Sequence, residues 1–456
     1  QIYPQDGWVE HDAEIIWQTA QNCMTSVLSD IGGPGQVAAI GITNQRETTV
    51  VWDRKSGKPV CNAIVWQDRR GASVCRALVE DGYGDVIQER TGLIPDSYFS
   101  ATKLQWILES DQDIRDKAVR GELAFGTMDT FLLWRLTGGT VHATDATNAS
   151  RTMLFNIHTQ SWDQELLDRF DVPSVMLPEV RDTASDFGKT DRALFGAEIP
   201  ITALVGDQQG ALVGQTCFTP GMAKATFGTG AFVLLNSGSS APLSKNKLLT
   251  TVGYRVDGTA TYAIEGSVFN AGTVVQWLRD QAGFIATAEE SATLARAARD
   301  SSVTFVPAFT GLGAPHWDPD ARGAILGITR DTTPAEIVRA GLEAVCFQTK
   351  ELLDAMAADT GQRIEILRVD GGMTANDWLL QTLADLLDTP VDRPTYLESS
   401  VHGAALMAGL GAGLYGSLDD LAMGRKTERL FEPSQTADWR NAAFADWQTS
   451  VARVRQ

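Results

Sequence analysis

The sequence lacks a hydrophobic run long enough to cross a bilayer. Although 43% of its 456 residues are hydrophobic, no apolar stretch approaches the roughly 18–20 residues that a transmembrane helix needs. It also shows no signal peptide at its start and no proline- or serine-rich tract that would indicate disorder. These absences predict a folded cytoplasmic protein without a membrane span.

Cysteine and histidine are scarce, at five residues each. The cysteines form no CxxC pair and the histidines form no HxxxH pair. These spacings argue against a zinc site built from such pairs and against a disulfide framework. The cysteines instead indicate small buried side chains in a reducing compartment.

Positive charge is the third shortage, since 38 Lys and Arg face 57 Asp and Glu and leave a net charge of −19. This balance argues against a nucleic-acid partner, whose phosphates require a basic surface. The overall field also repels a small anion, which therefore needs a local electropositive pocket. Backbone amides at helix N-termini supply such a pocket without net charge.

The length and the pattern of apolar runs predict a two-domain α/β protein, because 456 residues are too many for one core. The apolar runs Gln36–Thr43, Ile201–Gly206 and Ile364–Val369 are predicted strands, and Ala223–Gly238 is a predicted hairpin. We place a domain boundary near Gln215–Pro220, which gives domains 1–215 and 216–456.

The clearest predicted helix follows Asp331. Thr333 is a suitable N-cap, Pro334 suits the first turn, and Glu336 completes a capping box. A helical period of apolar residues then continues to Gly361.

Two polar motifs follow predicted strands. The apolar run before Asp207 and Gln208 delivers them to a helix start, where a carboxylate can accept a hydroxyl proton or face a metal ion. An N-cap role for Asp207 is the alternative, and this motif alone favours the cap. Arg46 and Glu47 end another buried strand, and in isolation an exposed charge pair is the favoured interpretation.

Aromatic residues and glycine turns complete the set of candidates. Trp66 and Tyr98 could face a ligand, although aromatic residues more often fill a core. Glycine turns follow strands at Thr226–Gly230 and Val369–Asn376, and neither has a dinucleotide or P-loop fingerprint. Ordinary tight turns and phosphate-binding turns both remain open.

Taken together and in order, the motifs resemble the FGGY family of carbohydrate kinases over essentially the whole chain, and within it the members that phosphorylate glycerol. The motifs that carry the resemblance are GWVEHD, GITNQRETT, IVWQDRR, YFSATKLQWIL, GDQQGALVGQ, TFGTGAFVLLNSG, FVPAFTGLGAPHWDPDARG and LRVDGGMTANDWLLQ.

The resemblance implies two actin-like (ribonuclease H-like) α/β domains that flank a deep interdomain cleft. It implies ATP-dependent phosphorylation of glycerol to sn-glycerol 3-phosphate, with Mg²⁺, and self-association as a dimer or tetramer. Asp207 is implied as the general base and as a magnesium ligand. The implied glycerol-binding residues are Arg46, Glu47, Trp66, Tyr98, Asp207, Gln208 and Phe232. The implied ATP-binding residues are Gly228, Thr229, Gly272, Gln276, Gly372 and Asn376.

The sequence departs from the family at its start. The resemblance implies an initial hairpin with an Asp-x-Gly-Thr-Thr-x-x-Arg loop that holds the β- and γ-phosphates, and no such motif occurs here. We therefore expect the sequence to be an N-terminally truncated form, and we expect a molecule that starts at Gln1 to have damaged activity.

Three alternative functions remain. Another FGGY kinase, acting on a pentulose, gluconate or erythritol, is disfavoured by the Arg46–Glu47 pair and Trp66. A non-catalytic polyol or nucleotide sensor on the same fold is disfavoured by the presence of Asp207. A hydride-transfer enzyme lacks its glycine fingerprint.

Overall fold

The computed structural model describes residues 1–318 and 320–455. In the first half the strands are β1 Glu10–His11, β2 Ile40–Asn44, β3 Thr49–Asp53, β4 Ala63–Ile64, β5 Leu123–Thr127, β6 Ala143–Asp145, β7 Phe155–Asn156, β8 Ser161–Trp162, β9 Glu179–Arg181 and β10 Ile201–Gly206. The helices of this half are α1 Ala13–Asp30, α2 Ala72–Glu80, α3 Gly84–Thr91, α4 Ser100–Ser110, α5 Gln112–Val119, α6 Met128–Leu136, α7 Ala146–Ala149, α8 Gln164–Arg169, α9 Arg192–Phe195 and α10 Asp207–Gly214.

The second half contains the longest strand and the longest helix of the described residues. Its strands are β11 Ala223–Phe227, β12 Ala231–Gly238, β13 Leu249–Val256, β14 Thr259–Val268, β15 Thr304–Val306, β16 Ala324–Leu326, β17 Leu367–Asp370, β18 Val391–Pro394 and β19 Thr427–Phe431. Its helices are α11 Gly272–Asp280, α12 Glu290–Ala297, α13 Pro334–Thr360, α14 Asp377–Leu387, α15 Ser399–Gly411, α16 Leu418–Met423 and α17 Ala437–Val454.

In the first half, the parallel pairing of β2 with β10 determines where the polar motifs meet. The pair ends with Gly206 opposite Asn44, so both strands finish at the same edge. The residues that follow, Arg46 after β2 and Asp207 after β10, are therefore brought to one place. A separate sheet of order β1-β4-β3-β5 lies in the same half.

The second half is built on a seven-stranded sheet of order β13-β14-β12-β11-β17-β18-β19. Strands β11 and β17 are parallel neighbours, with Thr226 opposite Asp370, so the two glycine turns follow at the same edge. The backbones at Gly371 and Phe227 lie close together, because a Cβ at Gly371 would be 2.5 Å from the carbonyl oxygen of Phe227. Gly371 also has a φ of +91°. Only glycine adopts this position without strain.

Helices α10 and α15 cross where the two halves meet. Glycine is required at the crossing, since a Cβ on Gly403 of α15 would overlap the carbonyl oxygen of Gly210 on α10. Ser400 Oγ also donates to the carbonyl oxygen of Asp207 at 2.8 Å. The second half of the molecule thus contacts the backbone at the first residue of α10.

The structure confirms the predictions with the strongest local signals. Helix α13 begins with the predicted capping box of Thr333 and Glu336, and β10 has the predicted bounds. The predicted strand Gln36–Thr43 is wrong at its start, because Pro34–Gln36 forms a 3₁₀ turn and β2 begins at Ile40. The strand predicted at Ile364–Val369 begins later, at Leu367. Within the described part of the chain, no helix is long and apolar enough to span a membrane.

Candidate active site

Arg46 is the centre of a buried polar cluster at the edge where β2 and β10 end. Its side chain is only 2% exposed, and it donates to Tyr98 Oη at 3.2 Å, to Gln209 Oε1 at 3.3 Å and to both carboxylate oxygens of Glu265. Its Nε lies 3.2 Å from Asp207 Oδ1. The interpretation of Arg46 and Glu47 as an exposed charge pair is therefore wrong, since both are buried.

Four buried charges alternate in sign within this cluster. Arg151 Nε donates to Glu47 Oε1 at 2.8 Å, and its Nη2 donates to Glu265 Oε1 at 2.9 Å. Burial by itself raises the pKa of Glu265, but Arg151 and Arg46 outweigh it and hold that pKa at about 2. Glu265 belongs to β14 in the second half, so this network joins the two halves beside Asp207.

Two nitrogens of the network have no hydrogen-bond partner among residues 1–318 and 320–455. They are Arg46 Nε and Arg151 Nη1, and both are buried. An unpaired buried donor costs free energy unless a ligand or water completes it. Arg46 Nε, beside the Asp207 carboxylate, is thus available to a hydroxyl oxygen.

Asp207 is the exposed member of the cluster, with 37% of its side chain accessible. It is the first residue of α10, and Gly206 occupies the N-cap position. The N-cap interpretation of Asp207 is therefore wrong. Its Oδ1 accepts from the backbone N–H of Gln208 at 2.7 Å, and Oδ2 is 3.4 Å from Gln208 Nε2, which leaves the carboxylate able to accept a proton.

Aromatic rings lie beside these polar groups. Trp66 meets Tyr98 edge to face, with ring centroids 5.5 Å apart, and burial raises the pKa of the Tyr98 hydroxyl. Trp66 and Phe232 are each half-buried. Phe232 lies on β12, and its carbonyl oxygen is 3.5 Å from Lys224 Nζ, which also donates to Gln208. All seven predicted glycerol-binding residues are therefore linked by contacts within one region.

The sequence interpretation missed four members of this region: Arg151, Gln209, Lys224 and Glu265. Two of them could have been found from the sequence, because Lys224 and Glu265 are the single charged residues of strands β11 and β14. Lysine and glutamate are almost never fully buried unless they are paired. A charge at a strand position of this kind therefore indicates a partner elsewhere in the chain.

A cavity of about 380 Å³ lies in the second half of the molecule. All six predicted nucleotide-binding residues line it: Gly228, Thr229, Gly272, Gln276, Gly372 and Asn376. The sequence interpretation did not include Arg279 and Glu289, which line the cavity as well.

Backbone contacts hold the walls of this cavity together. The N–H of Gly272, at the start of α11, donates to the carbonyl oxygen of Gly228 at 3.0 Å, and that of Thr273 donates to Thr229 at 3.1 Å. Asn376 Oδ1 caps α14 by accepting from Leu379 N at 3.1 Å. The starts of α11 and α14 thus both border this cavity.

The acidic residues fit a magnesium ion that arrives with phosphate oxygens. In the described part of the chain, no group of three His, Cys, Asp or Glu side chains is placed to hold a metal. Mg²⁺ often takes only one or two protein carboxylates and completes its shell with phosphates and water. The half-exposed Asp207 carboxylate can supply one such ligand.

Comparison with known proteins shows the family of the chain. Residues 1–214 match the N-terminal domain of the FGGY family of carbohydrate kinases, and residues 223–412 match its C-terminal domain. A glycerol kinase of Alteromonas mediterranea is 56% identical over 458 residues, covering 100% of this chain and 92% of the relative. The chain belongs to the FGGY family. The resemblance read from the motifs is thereby confirmed.

Solved structures of two other kinases also share the fold. A Plasmodium falciparum glycerol kinase with ADP superposes with a TM-score of 0.94 at 36% identity, covering 100% of this chain and 92% of that one. A ligand-bound xylulose kinase from Lactobacillus acidophilus has a TM-score of 0.89 at 22% identity, covering 99% of this chain and 91% of that one. The predicted fold of two actin-like α/β domains is confirmed.

Proposed function

We propose that this FGGY kinase transfers the γ-phosphoryl group of ATP to glycerol and forms sn-glycerol 3-phosphate. The observation that carries the proposal is the half-exposed carboxylate of Asp207 in an ion pair with the buried Nε of Arg46, a nitrogen that has no hydrogen-bond partner among the described residues. This pair can orient a hydroxyl and accept its proton. The identity of 56% to a glycerol kinase supports glycerol as the acceptor.

Glycerol has hydroxyls that need fixed partners and a small apolar face. We assign the hydroxyl contacts to Arg46, Glu47, Tyr98, Asp207 and Gln208, and the apolar face to Trp66 and Phe232. The six heavy atoms of glycerol limit the binding free energy to about −9 kcal/mol, at roughly −1.5 kcal/mol per atom. Useful affinity therefore requires that nearly every hydroxyl is paired.

Asp207 acts as the general base. It takes the proton from the terminal hydroxyl, whose oxygen then attacks the γ-phosphorus while ADP leaves. Phosphoryl transfer depends mainly on positioning and on charge neutralisation, so a correctly placed carboxylate is sufficient. The carboxylate is already oriented, because Gln208 N donates to its Oδ1 at 2.7 Å.

We assign ATP to the cavity of the second half, with Gly228 and Thr229 at the phosphates, Gly272 and Gln276 at the nucleotide, and Gly372 and Asn376 at the adenosine end. The Plasmodium falciparum neighbour was solved with ADP, which supports an adenine nucleotide as the ligand. Mg²⁺, when bound, neutralises the phosphates, and Asp207 is the protein residue that we assign to it.

Three further proposals concern the whole molecule. We assign residues 1–215 to the glycerol-binding domain and residues 216–456 to the ATP-binding domain. Unpaired cysteines support a cytoplasmic location, and we expect a dimer or tetramer, as the resemblance implies. Light scattering of the purified protein measures its oligomeric state.

An assay of ADP release against a panel of acceptors tests the proposed function. Glycerol, erythritol, xylulose and gluconate are compared at equal concentration with saturating Mg-ATP. We expect glycerol to have by far the highest kcat/KM. Turnover of xylulose or gluconate at a comparable rate would assign the enzyme to another branch of the family, and glycerol binding without turnover of any acceptor would favour a sensor.

A further inference from the structure

Lys224 lies directly behind the proposed glycerol site. It is fully buried in β11, and its Nζ donates to Gln208 Oε1, to Thr226 Oγ1 at 3.0 Å and to the Phe232 carbonyl oxygen at 3.5 Å. An ammonium group has three hydrogens and no acceptor. All three are used within the protein, so Lys224 acts on a bound substrate only through its neighbours.

Keeping an ammonium group here is costly. Burial lowers the pKa of Lys224 from 10.5 to about 8, even though Asp370, Glu265 and Asp207 favour the charged form. A buried charge is weak evidence of a gain in stability, because the cost of taking it out of water can exceed what its partners return. The lysine is therefore better explained by what it positions than by a gain in stability.

We propose that Lys224 is a positioning residue that fixes the direction of the Gln208 amide in the glycerol site, an inference that rests on the proposed function. The two orientations of a glutamine amide have nearly the same shape and differ only in their hydrogen bonding. Because the ammonium can only donate, Gln208 Oε1 must face Lys224. The amide nitrogen then faces the Asp207 carboxylate, with Nε2 at 3.4 Å from Oδ2.

This orientation has a consequence for the proton transfer. With Nε2 on the substrate side, Gln208 donates to a glycerol hydroxyl oxygen and offers that hydroxyl no acceptor. The single hydrogen of the reacting hydroxyl is then left to Asp207. A flipped amide would place an oxygen there, which would compete with Asp207 for this hydrogen and would present no donor.

A double-mutant cycle with Lys224→Met and Gln208→Ala tests the inference. We expect Lys224→Met to lower kcat/KM for glycerol by about tenfold or more, but to change it less than about twofold in the Gln208→Ala background, as for residues that act as one unit. The same loss in both backgrounds would overturn the inference, because the lysine would then act on the fold as a whole. Glycerol affinity, measured by calorimetry without ATP, provides a second cycle. The affinity cycle tests the inference even if the enzyme does not turn glycerol over. Lack of turnover would refute the proposed function and not the role of Lys224.

Gln208→Glu provides a test that keeps the lysine. The new carboxylate retains an oxygen for Lys224 and replaces only the outward nitrogen by an oxygen. We expect kcat/KM to fall at least as far as in Gln208→Ala, because the outward donor is lost and the new oxygen lies beside Asp207 Oδ2. Wild-type kcat/KM in this variant would overturn the inference, since the outward group would then serve as an acceptor.

Discussion

Replacing Glu265 by glutamine should be far more destabilising than its small change in shape suggests. Glu265 accepts from both Arg46 and Arg151 in the buried network. The lowering of its pKa from 4.5 to about 2 corresponds to about 3 kcal/mol of stability, at 1.36 kcal/mol per pKa unit. Removing one partner of a buried ion pair independently predicts a loss of about 3–5 kcal/mol. The two values agree in order of magnitude.

Chemical denaturation of wild type and Glu265→Gln at pH 7 measures this loss, and Glu165→Gln is the matched control. Glu165 pairs with Arg90, but its side chain is 53% exposed, so its removal should cost less than about 1 kcal/mol. The folded-state pKa of Glu265 is depressed, so its contribution is fully present above pH 4.5 and is lost as the pH falls through about 2. The difference between wild type and Glu265→Gln should therefore shrink below pH 4.5. Equal losses for the two variants at pH 7 would refute the reasoning.

The proposed site gives three further predictions. Asp207→Asn should keep its glycerol affinity within a small factor while kcat falls by about 10²–10⁴, the usual cost of a lost general base, and near wild-type turnover would remove Asp207 from the mechanism. 1,3-Propanediol leaves a buried hydroxyl partner unpaired, so its kcat/KM should be about 10⁴ below that of glycerol in the ADP-release assay; similar values would place these side chains elsewhere. Gly371→Ala should lose about 1–3 kcal/mol of unfolding free energy and raise the KM for ATP, because both φ strain and a backbone collision are introduced. Gly413→Ala is its control, since that residue has a φ of +73° but no atom within 4 Å of the added Cβ, and equal losses would show that the approach to Phe227 is unimportant.

The sequence predicted those elements whose signals are local. The capping box of Thr333 and Glu336 needs only four consecutive residues, and the structure reproduces it. The bounds of β10 follow from an apolar run between polar neighbours. Where a local signal was ambiguous, as for Asp207, propensity favoured an N-cap, but the chain enters α10 one residue earlier, at Gly206.

The candidate site was predictable from the order of its motifs, but its charge balance was not. Arg46 alone indicates an exposed cation, because surface arginine is common. Its counter-charge, Glu265, lies far along the chain in β14 and meets Arg46 only after the two halves of the molecule have packed together. No spacing rule relates two such residues, so only the folded structure reveals their pairing.

A pair of parallel strands underlies each of the two parts of the proposed site. Parallel strands need long crossover connections, so the residues that follow them are distant in sequence but adjacent in space. The β2–β10 pair brings Arg46 to Asp207, and the β11–β17 pair brings the Gly228 turn to the Gly372 turn. Strand β11 connects the proposed glycerol site with the cavity of the second half. It carries Lys224 behind the glycerol site and ends at the turn that lines the cavity. We propose that the phosphoryl donor and its acceptor bind on either side of this one short, buried strand, in a protein whose net charge is −19.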